Sequence, residues 1–253
     1  MRDKNALNII DSLTIRAFRA VDFPVYCEEY MTGHKKVLTD LGIKKLTSAK
    51  ATWSNNEYAY VVGVWSDNLG KLIGGARIEV AENRLPIEDA VGIVDKGIFD
   101  LVIKDQRAGG TAELCGLWTD IEVAGRGTAL LLIKSAISIL SQIKVPVLYV
   151  LCAETTLHMF EKVGCVILKD VGNNGTFYYP KLNLIATALR LPDTCELHYA
   201  DKECKEKILF LRVNPKETVV ESGPKGYFKI KYDLGDILSW KEVLTKKNED
   251  VSN

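Results

Sequence analysis

An apolar helix followed directly by an apolar strand constrains the fold more than any other feature. Residues 128–142 (TALLLIKSAISILSQ) carry a narrow polar stripe and are otherwise rich in Leu and Ile. A helix of this composition is mostly buried. Residues 145–152 (VPVLYVLC) form a near-continuous apolar run, which is typical of a strand buried on both faces of a sheet. The pair therefore predicts an α/β (α+β) fold with an internal strand covered by helices.

Other segments supply the remaining elements of the same sheet. Alternating or β-branched residues predict strands, and runs of helix formers predict helices. The predicted strands are residues 12–20, 57–65, 71–80, 112–119, 145–152, 165–169 and 176–179; the predicted helices are 21–42, 128–142 and 155–163. The order is β-α-β-β-(insert)-β-α-β-α-β-β.

Two stretches fall outside this pattern. Residues 81–111 form an insert in which Pro86 could open a helix. It is either a lid or binding loop, or an elaboration of the packing. Residues 181–253 have weaker signals, with helices predicted near 182–190 and 202–210 and strands near 196–200 and 227–232. We therefore divide the chain into a domain of residues 1–180 and a C-terminal extension of residues 181–253.

Composition excludes several classes of protein. The chain has 253 residues, with 33 Lys+Arg balanced by 33 Asp+Glu, which argues against a protein built to coat nucleic acid. The longest apolar run, residues 145–153, is shorter than the ~20 residues of a membrane span. The six cysteines form no CxxC pair and the three histidines show no ligand spacing, so no metal site is expected. We expect a cytoplasmic protein in a reducing compartment, with no membrane or nucleic-acid partner.

The segment 117–129 (LWTDIEVAGRGTA) carries the chemistry. A strand ends, a loop with Gly125 and Gly127 turns, and a long helix begins. Backbone N–H groups at a helix N-terminus bind anions, and glycines allow a phosphate to approach the backbone. Arg126 adds positive charge. The sequence predicts a phosphate-bearing ligand here, with an ordinary αβ turn as the alternative. It has neither a Walker loop nor a dinucleotide fingerprint.

This segment resembles the acetyl-CoA-binding motif of the GNAT superfamily of N-acetyltransferases. Leu117, Thr119, Gly125, Gly127 and Ala129 occupy matching positions, and the order of elements over residues 12–180 fits the same fold. The resemblance implies a GNAT-like acyl-CoA N-acyltransferase fold, a central mixed sheet flanked by helices, here with a C-terminal extension. The chain departs from the motif at three positions: Ala124 replaces Arg or Gln, Ile121 replaces proline, and Phe160 replaces a tyrosine proposed as general acid.

The resemblance also implies a mechanism. The strands 112–119 and 145–152 would separate, and the pantetheine arm of acetyl-CoA or another acyl-CoA would enter the gap. A backbone N–H near Thr119 would polarise the thioester carbonyl, and an amine would attack it directly. The residues implied in binding the cofactor are Leu117, Trp118, Thr119, Ala124, Gly125, Arg126, Gly127, Thr128 and Ala129. We expect Trp118 to pack against the long helix, with contact to the acyl group as the alternative.

Proton transfer is assigned to several candidates. Glu113 lies six residues before Thr119, on the same face of a regular strand, and this offset matches a general base of some GNAT enzymes. Burial would raise its pKa toward neutrality. The alternative is that Glu113 pairs with a lysine or ends the strand. Candidates for an acid are His158, Tyr178, Tyr179 and Cys152, although coenzyme A thiolate can also leave unassisted.

A second resemblance concerns the substrate. Residues 74–79 (GGARIE) and 84–86 (RLP), followed by the insert, are similar to the acyl-homoserine-lactone synthase and N-acyl amino acid synthase branch. It implies that the insert walls an acyl tunnel and that Arg77 or Arg84 contacts an acidic acyl carrier protein or a substrate carboxylate. Surface ion pairs are the alternative for both arginines.

Three hypotheses follow. The first is an N-acyltransferase moving an acetyl or other short acyl group to a small-molecule or peptide amine. The second is a long-chain synthase using acyl carrier protein, and the third an inactive GNAT-like acyl-CoA sensor. The extension either completes the acceptor pocket, forms a homodimer contact or is an independent module.

Overall fold

A mixed sheet of ten strands organises the part of the chain that the structure describes. This computed structural model describes residues 9–43, 51–82, 84–181, 183–237 and Glu242. The strands are β1 Ile9–Arg19, β2 Ala59–Ser66, β3 Lys71–Val80, β4 Thr111–Thr119, β5 Val147–Ala153, β6 Val166–Ile167, β7 Thr176–Tyr178, β8 Ile185–Leu191, β9 Thr218–Gly223 and β10 Gly226–Asp233. Their order is β6-β8-β5-β4-β3-β2-β1-β10-β9, and β7 also pairs with β8. Only the pairs β4–β5 and β1–β10 are parallel among these.

Within the described residues, six α-helices cover the two faces of the sheet. They are α1 Pro24–Asp40, α2 Pro86–Val91, α3 Gly97–Arg107, α4 Thr128–Ile143, α5 Glu154–Lys162 and α6 Lys202–Val213. Side chains of α4, α5 and α6 share a core with one face, whereas α1, α2 and α3 pack on the other. The apolar helix α4 is buried along most of its length, as its composition predicts.

Alternation along β4 and β5 determines which side chains meet which helices. Ala112 and Leu114 of β4, with Leu148 and Val150 of β5, pack in the core beside α4. Successive side chains of a strand point to opposite faces. Glu113 therefore points to the opposite face, where the insert and α1 pack.

The insert has a core of its own. Pro86 opens α2, as predicted, and the buried residues of α2 and α3 pack against β5 and β8. Its far end is fixed by polar contacts, since Tyr149 donates a hydrogen bond to Asp105 at 2.5 Å and Arg190 pairs with the same carboxylate at 2.7 Å.

Residues after 180 contribute three strands to this sheet. β8 lies between β5 and β6, and the β9–β10 hairpin extends the other edge beyond β1. The division at residue 180 stays a prediction. The helix predicted at 182–190 is wrong, because pairing with strands on both sides overrides the helix propensity of this Ala- and Leu-rich segment. The strand predicted at 196–200 is also wrong, since Leu197 is buried with a φ of +52° in a run of turns.

The remaining expectations for the extension agree with the structure. α6 covers the helix predicted at 202–210, and β10 covers the strand predicted at 227–232. The sequence analysis missed β9. All six cysteines are free, and only Cys195 is exposed. Within the described ranges, no helix combines the length and apolar character needed to cross a bilayer.

Candidate active site

A β-bulge interrupts β4 near the C-terminal end of the strand. Arg77 of β3 pairs with Cys115, but Gly75 pairs with Trp118, so β4 holds one extra residue between these positions. Gly116 has a φ of +60°, and Tyr30 of α1 donates a hydrogen bond to its carbonyl oxygen. A Cβ at residue 116 would lie 2.4 Å from the Tyr30 hydroxyl. Glycine is therefore needed at this bulge both for its backbone conformation and for space.

The strands β4 and β5 separate next to this bulge. Their parallel pairing runs from Thr111 with Val147 to Leu114 with Val150 and then ends. β4 nevertheless continues to Thr119, and β5 continues to Ala153, still paired with β8. The two neighbouring strands thus turn unpaired edges toward each other. This is the separation that the sequence resemblance predicts.

The loop after β4 leads to the N-terminus of α4. Gly125 and Gly127 have φ values of +71° and +89°, and Gly127 immediately precedes the helix. Ala124 and Gly125 are exposed, whereas Arg126 and Gly127 are partly exposed. The first N–H groups of a helix have no partner within it, and no side chain caps α4. An uncapped helix end of this kind is a position at which proteins commonly bind anions.

Thr128 is the first residue of α4 and adds a second indication of a ligand. It is only 2% exposed, yet its Oγ1 atom has no hydrogen-bond partner in the described part of the chain. A buried hydroxyl without a partner destabilises a protein by about 1–3 kcal/mol. An anionic ligand at this helix end would give the hydroxyl an acceptor.

Asp120 lies between β4 and this loop and carries negative charge close to the site. It is buried, and its Oδ2 atom is 3.2 Å from the Lys71 ammonium and 4.0 Å from that of Lys36. The two lysines therefore offset the carboxylate charge beside the loop before α4.

Trp118 packs on the opposite face from the one expected. Its indole contacts Tyr30 edge-to-face at 6.0 Å and lies against Gly33 of α1. The extra residue at the bulge reverses the alternation, so Leu117 points toward the core beside α4 and Trp118 points away from it. The predicted packing of Trp118 on α4 is therefore wrong, and Thr119 does not share a face with Glu113.

Glu113 lies in a buried polar cluster on the α1 and insert side. It is 3% exposed, and the Ile87 N–H of α2 donates a hydrogen bond to its Oε2 atom at 2.5 Å. Burial raises its pKa well above the usual value, and the nearby Glu79 acts in the same direction; the Ile87 hydrogen bond and the Arg77 charge act against this rise. The carboxyl group thus holds the insert on the sheet and favours its protonated form.

Arg77 and Glu79 form a buried ion pair beside Glu113. The Arg77 Nη2 atom is 2.7 Å from Glu79 Oε1, and the guanidinium stacks over Trp53 at 4.6 Å. Arg77 is 1% exposed, so the surface ion pair considered for it is wrong. Arg84, in contrast, lies at the surface, 4.0 Å from Asp89.

Sequence reasoning missed two aromatic residues of α1 that approach this cluster. Tyr30 and His34 are both buried, with ring centres 5.9 Å apart. Burial lowers the pKa of His34 to about 4, and the Arg77 charge acts in the same direction. The i, i+4 spacing of the two residues places them on one helix face, which is the signal that could have found them. Glu79 was also missed.

The predicted acids lie elsewhere. Tyr178 is 70% exposed on β7, which is separated from β5 by β8 and hence by roughly 10 Å of sheet. His158 is exposed on α5, and Tyr179 follows β7 directly. Cys152 is buried beside α4, and burial raises its pKa to about 12. Phe160 is buried in the same core. The structure thus brings the loop residues together without gathering the acid candidates around Glu113. All of these catalytic roles stay predictions.

Comparisons with known proteins identify which structures have a similar fold. Neither the protein-family models nor the curated proteins include a sequence match to this chain. Among solved structures, FeeM, an N-acyl amino acid synthase from uncultured soil microbes, superposes with a TM-score of 0.56 at 14% identity, covering 78% of this chain and 98% of FeeM. BjaI, a CoA-dependent acyl-homoserine lactone synthase solved with SAM and isopentyl-CoA, gives 0.53 at 10% identity over 94% of this chain and 100% of BjaI.

A third structure agrees with these two. Escherichia coli ElaA gives a TM-score of 0.50 at 8% identity, over 70% of this chain and 98% of ElaA. The chain has the GNAT acyltransferase fold. The fold class predicted from the sequence is therefore confirmed, and at these identities the likeness is one of fold. In this fold, β4 borders the gap between the separated strands and runs directly into the loop before α4. No group of three or more His, Cys, Asp or Glu side chains able to hold a metal occurs in the described residues.

Proposed function

We propose that the protein is an enzyme that transfers an acyl group from an acyl-CoA to a primary amine. The single observation that carries this proposal is the separation of β4 from β5 beside an uncapped helix N-terminus that buries an unpartnered hydroxyl. The gap offers strand edges to an extended arm, and the helix end offers donors to an anion. Coenzyme A joins a pantetheine arm to phosphates in the same order.

The loop before α4 and the bulge in β4 would bind different parts of the cofactor. The backbone N–H groups of Gly125, Gly127, Thr128 and Ala129, with the Arg126 side chain and the Thr128 hydroxyl, would bind the diphosphate. The Arg126 N–H instead donates to the Val123 carbonyl oxygen at 3.3 Å. The pantetheine amides would pair with the unpaired edges of β4 and β5. A backbone N–H between Leu117 and Thr119 would then polarise the thioester carbonyl, where charge develops during attack.

The proton balance of the reaction requires a base. The amine nitrogen attacks the thioester carbon, the amine proton passes to a carboxylate, and collapse of the intermediate breaks the carbon–sulfur bond. Two carboxyl groups lie on the α1 and insert side of the bulge, Glu113 and Glu79. Glu113 is the base that the sequence resemblance favours. Burial raises its pKa, and a carboxylate with a raised pKa is a stronger proton acceptor than an exposed one. A thiol has a pKa of about 8.5, so the CoA thiolate can depart without an acid.

The acyl chain is the less defined part of the proposal. We assign a short acyl-CoA to the site first. A long-chain synthase is the second candidate, because the insert packs on the face of β4 that carries Glu113 and could wall a tunnel. Of the similar structures, FeeM is an N-acyl amino acid synthase, whereas BjaI is CoA-dependent and was solved with isopentyl-CoA, which agrees with the short acyl-CoA. Arg84 at the surface would be the contact for an acyl carrier protein. The acceptor would be a small amine, and a cytoplasmic location and a homodimer stay predictions.

Calorimetry with CoA, acetyl-CoA and acyl-CoAs of four to twelve carbons tests the binding step. The proposal expects saturable binding with a dependence on chain length, and a folded protein that binds none of them would refute it. Release of CoA thiol in the presence of a panel of amines then tests transfer. Glu113→Gln, which keeps an acceptor for the Ile87 N–H, should lower turnover with little change in CoA affinity. Glu79→Gln is the matched variant that identifies which carboxylate is the base.

A further inference from the structure

The turn that joins β9 to β10, residues 223–226, rests on the loop before α4. Lys225 donates a hydrogen bond from Nζ to the Ala124 carbonyl oxygen at 3.4 Å. A Cβ on Gly223 would lie 2.6 Å from the Arg126 carbonyl oxygen, and one on Gly127 would lie 3.2 Å from Pro224. Residues 223–225 of the C-terminal extension therefore touch the loop at Ala124, Arg126 and Gly127.

The hairpin holds this turn in place from two sides. β10 pairs in parallel with β1 along its length, and β9 pairs with β10. From α6, Lys207 forms an ion pair with Glu221 of β9, and Tyr232 of β10 donates a hydrogen bond to the same carboxylate at 3.4 Å. The turn is thus positioned by the sheet and by α6.

Charge is the property that the turn adds. Between Asp120 and Thr128 the loop has one cation, Arg126, and two acids, Asp120 and Glu122. A diphosphate is negative on both phosphates, so the loop alone offers little charge complementarity. Lys225 is exposed beside Ala124 and Gly125. Its ammonium has three N–H donors, and the Ala124 carbonyl accepts one, so the group can bridge the loop and a bound anion.

We propose that Lys225 binds the phosphate groups of CoA and that the C-terminal extension thereby completes the nucleotide end of the site. This inference rests on the proposed function, because it assigns an additional residue to the same ligand. Phosphate is the shared chemistry of the CoA diphosphate and the 3′-phosphate of its ribose, and the ligands used in the test separate the two.

Calorimetric titration of the full chain with CoA and with dephospho-CoA tests this role. Lys225→Ala should weaken CoA binding about tenfold, the loss of one charge-assisted hydrogen bond, with a smaller difference at high salt. Lys225→Arg should retain affinity. Lys229→Ala, an exposed lysine on the same hairpin, is the control and should bind as the wild type does.

The outcomes are distinct. An equal loss with both ligands assigns Lys225 to the diphosphate, and a loss confined to CoA assigns it to the 3′-phosphate; both support the proposal. Wild-type affinity of Lys225→Ala for CoA at low salt overturns it and leaves the proposed function intact. If the folded wild-type protein binds neither ligand, the proposed function itself fails.

Discussion

Replacing Thr128 by Val should change stability and CoA binding in opposite directions. The buried Oγ1 atom has no partner among the described residues, and removing an unpartnered buried hydroxyl should stabilise the free protein by roughly 1 kcal/mol. For a chain of this size that raises Tm by about 2–4 °C. A hydrogen bond to a charged phosphate contributes about 1.5–3 kcal/mol, so CoA affinity should fall roughly 10- to 150-fold.

Thermal unfolding with and without CoA measures both effects. At a CoA concentration of about 100 times the wild-type Kd, binding stabilises the wild type by ~2.7 kcal/mol and a variant with tenfold weaker binding by ~1.4 kcal/mol. Without ligand, Thr128→Val should be more stable than the wild type. At this CoA concentration that difference in unfolding free energy should vanish.

Ser135→Ala is the control for Thr128→Val. Ser135 is another buried, unpartnered hydroxyl of α4, located roughly 10 Å along the helix. It should raise Tm and leave CoA affinity unchanged. A Thr128→Val protein that is less stable than the wild type, or that binds CoA equally well, would refute the reasoning.

Three further substitutions probe the bulge, the base and the hairpin. Gly116→Ala should lower the free energy of unfolding by more than about 2 kcal/mol in urea unfolding. Gly70 also has a positive φ but has open space around it, so Gly70→Ala should lose only the stability due to the strained backbone. Equal losses in the two variants would contradict the steric argument. Because burial raises the pKa of Glu113, its ionisation opposes folding above the unfolded-state pKa of about 4.3. Glu113→Gln should therefore gain stability over the wild type as pH rises from 5 to 8, and a constant difference would count against this. Gly223→Ala should push the turn away from the Arg126 carbonyl and weaken CoA binding in calorimetry, whereas unchanged affinity would show that the contact is dispensable.

An element of the fold could be predicted where the local sequence of a single segment determines its structure. The composition of α4 and β5 predicts their burial, and Gly125 and Gly127 predict the turn before α4. The Ala and Leu residues of β8 favour a helix, but pairing with β5 makes this segment a strand. That pairing joins distant segments, and no local pattern contains it.

The details of the site were less accessible because they depend on register. A glycine at position 116 is visible in the sequence, but the extra residue in β4 appears only against its partner β3. That single residue decides that Trp118 packs on α1. The contact of Lys225 with Ala124 likewise follows from the parallel pairing of β10 with β1, between segments more than 200 residues apart.

The β1–β10 pairing also determines when this part of the sheet can form during synthesis. A ribosome releases β1 first, whereas its neighbour β10 emerges only after more than 200 further residues. Until then one edge of β1 has no partner strand, and such edges invite aggregation. A chain that terminates before β9 would keep this edge permanently. Docking of the β9–β10 hairpin therefore pairs the β1 edge and brings Lys225 to the loop before α4 in the same step.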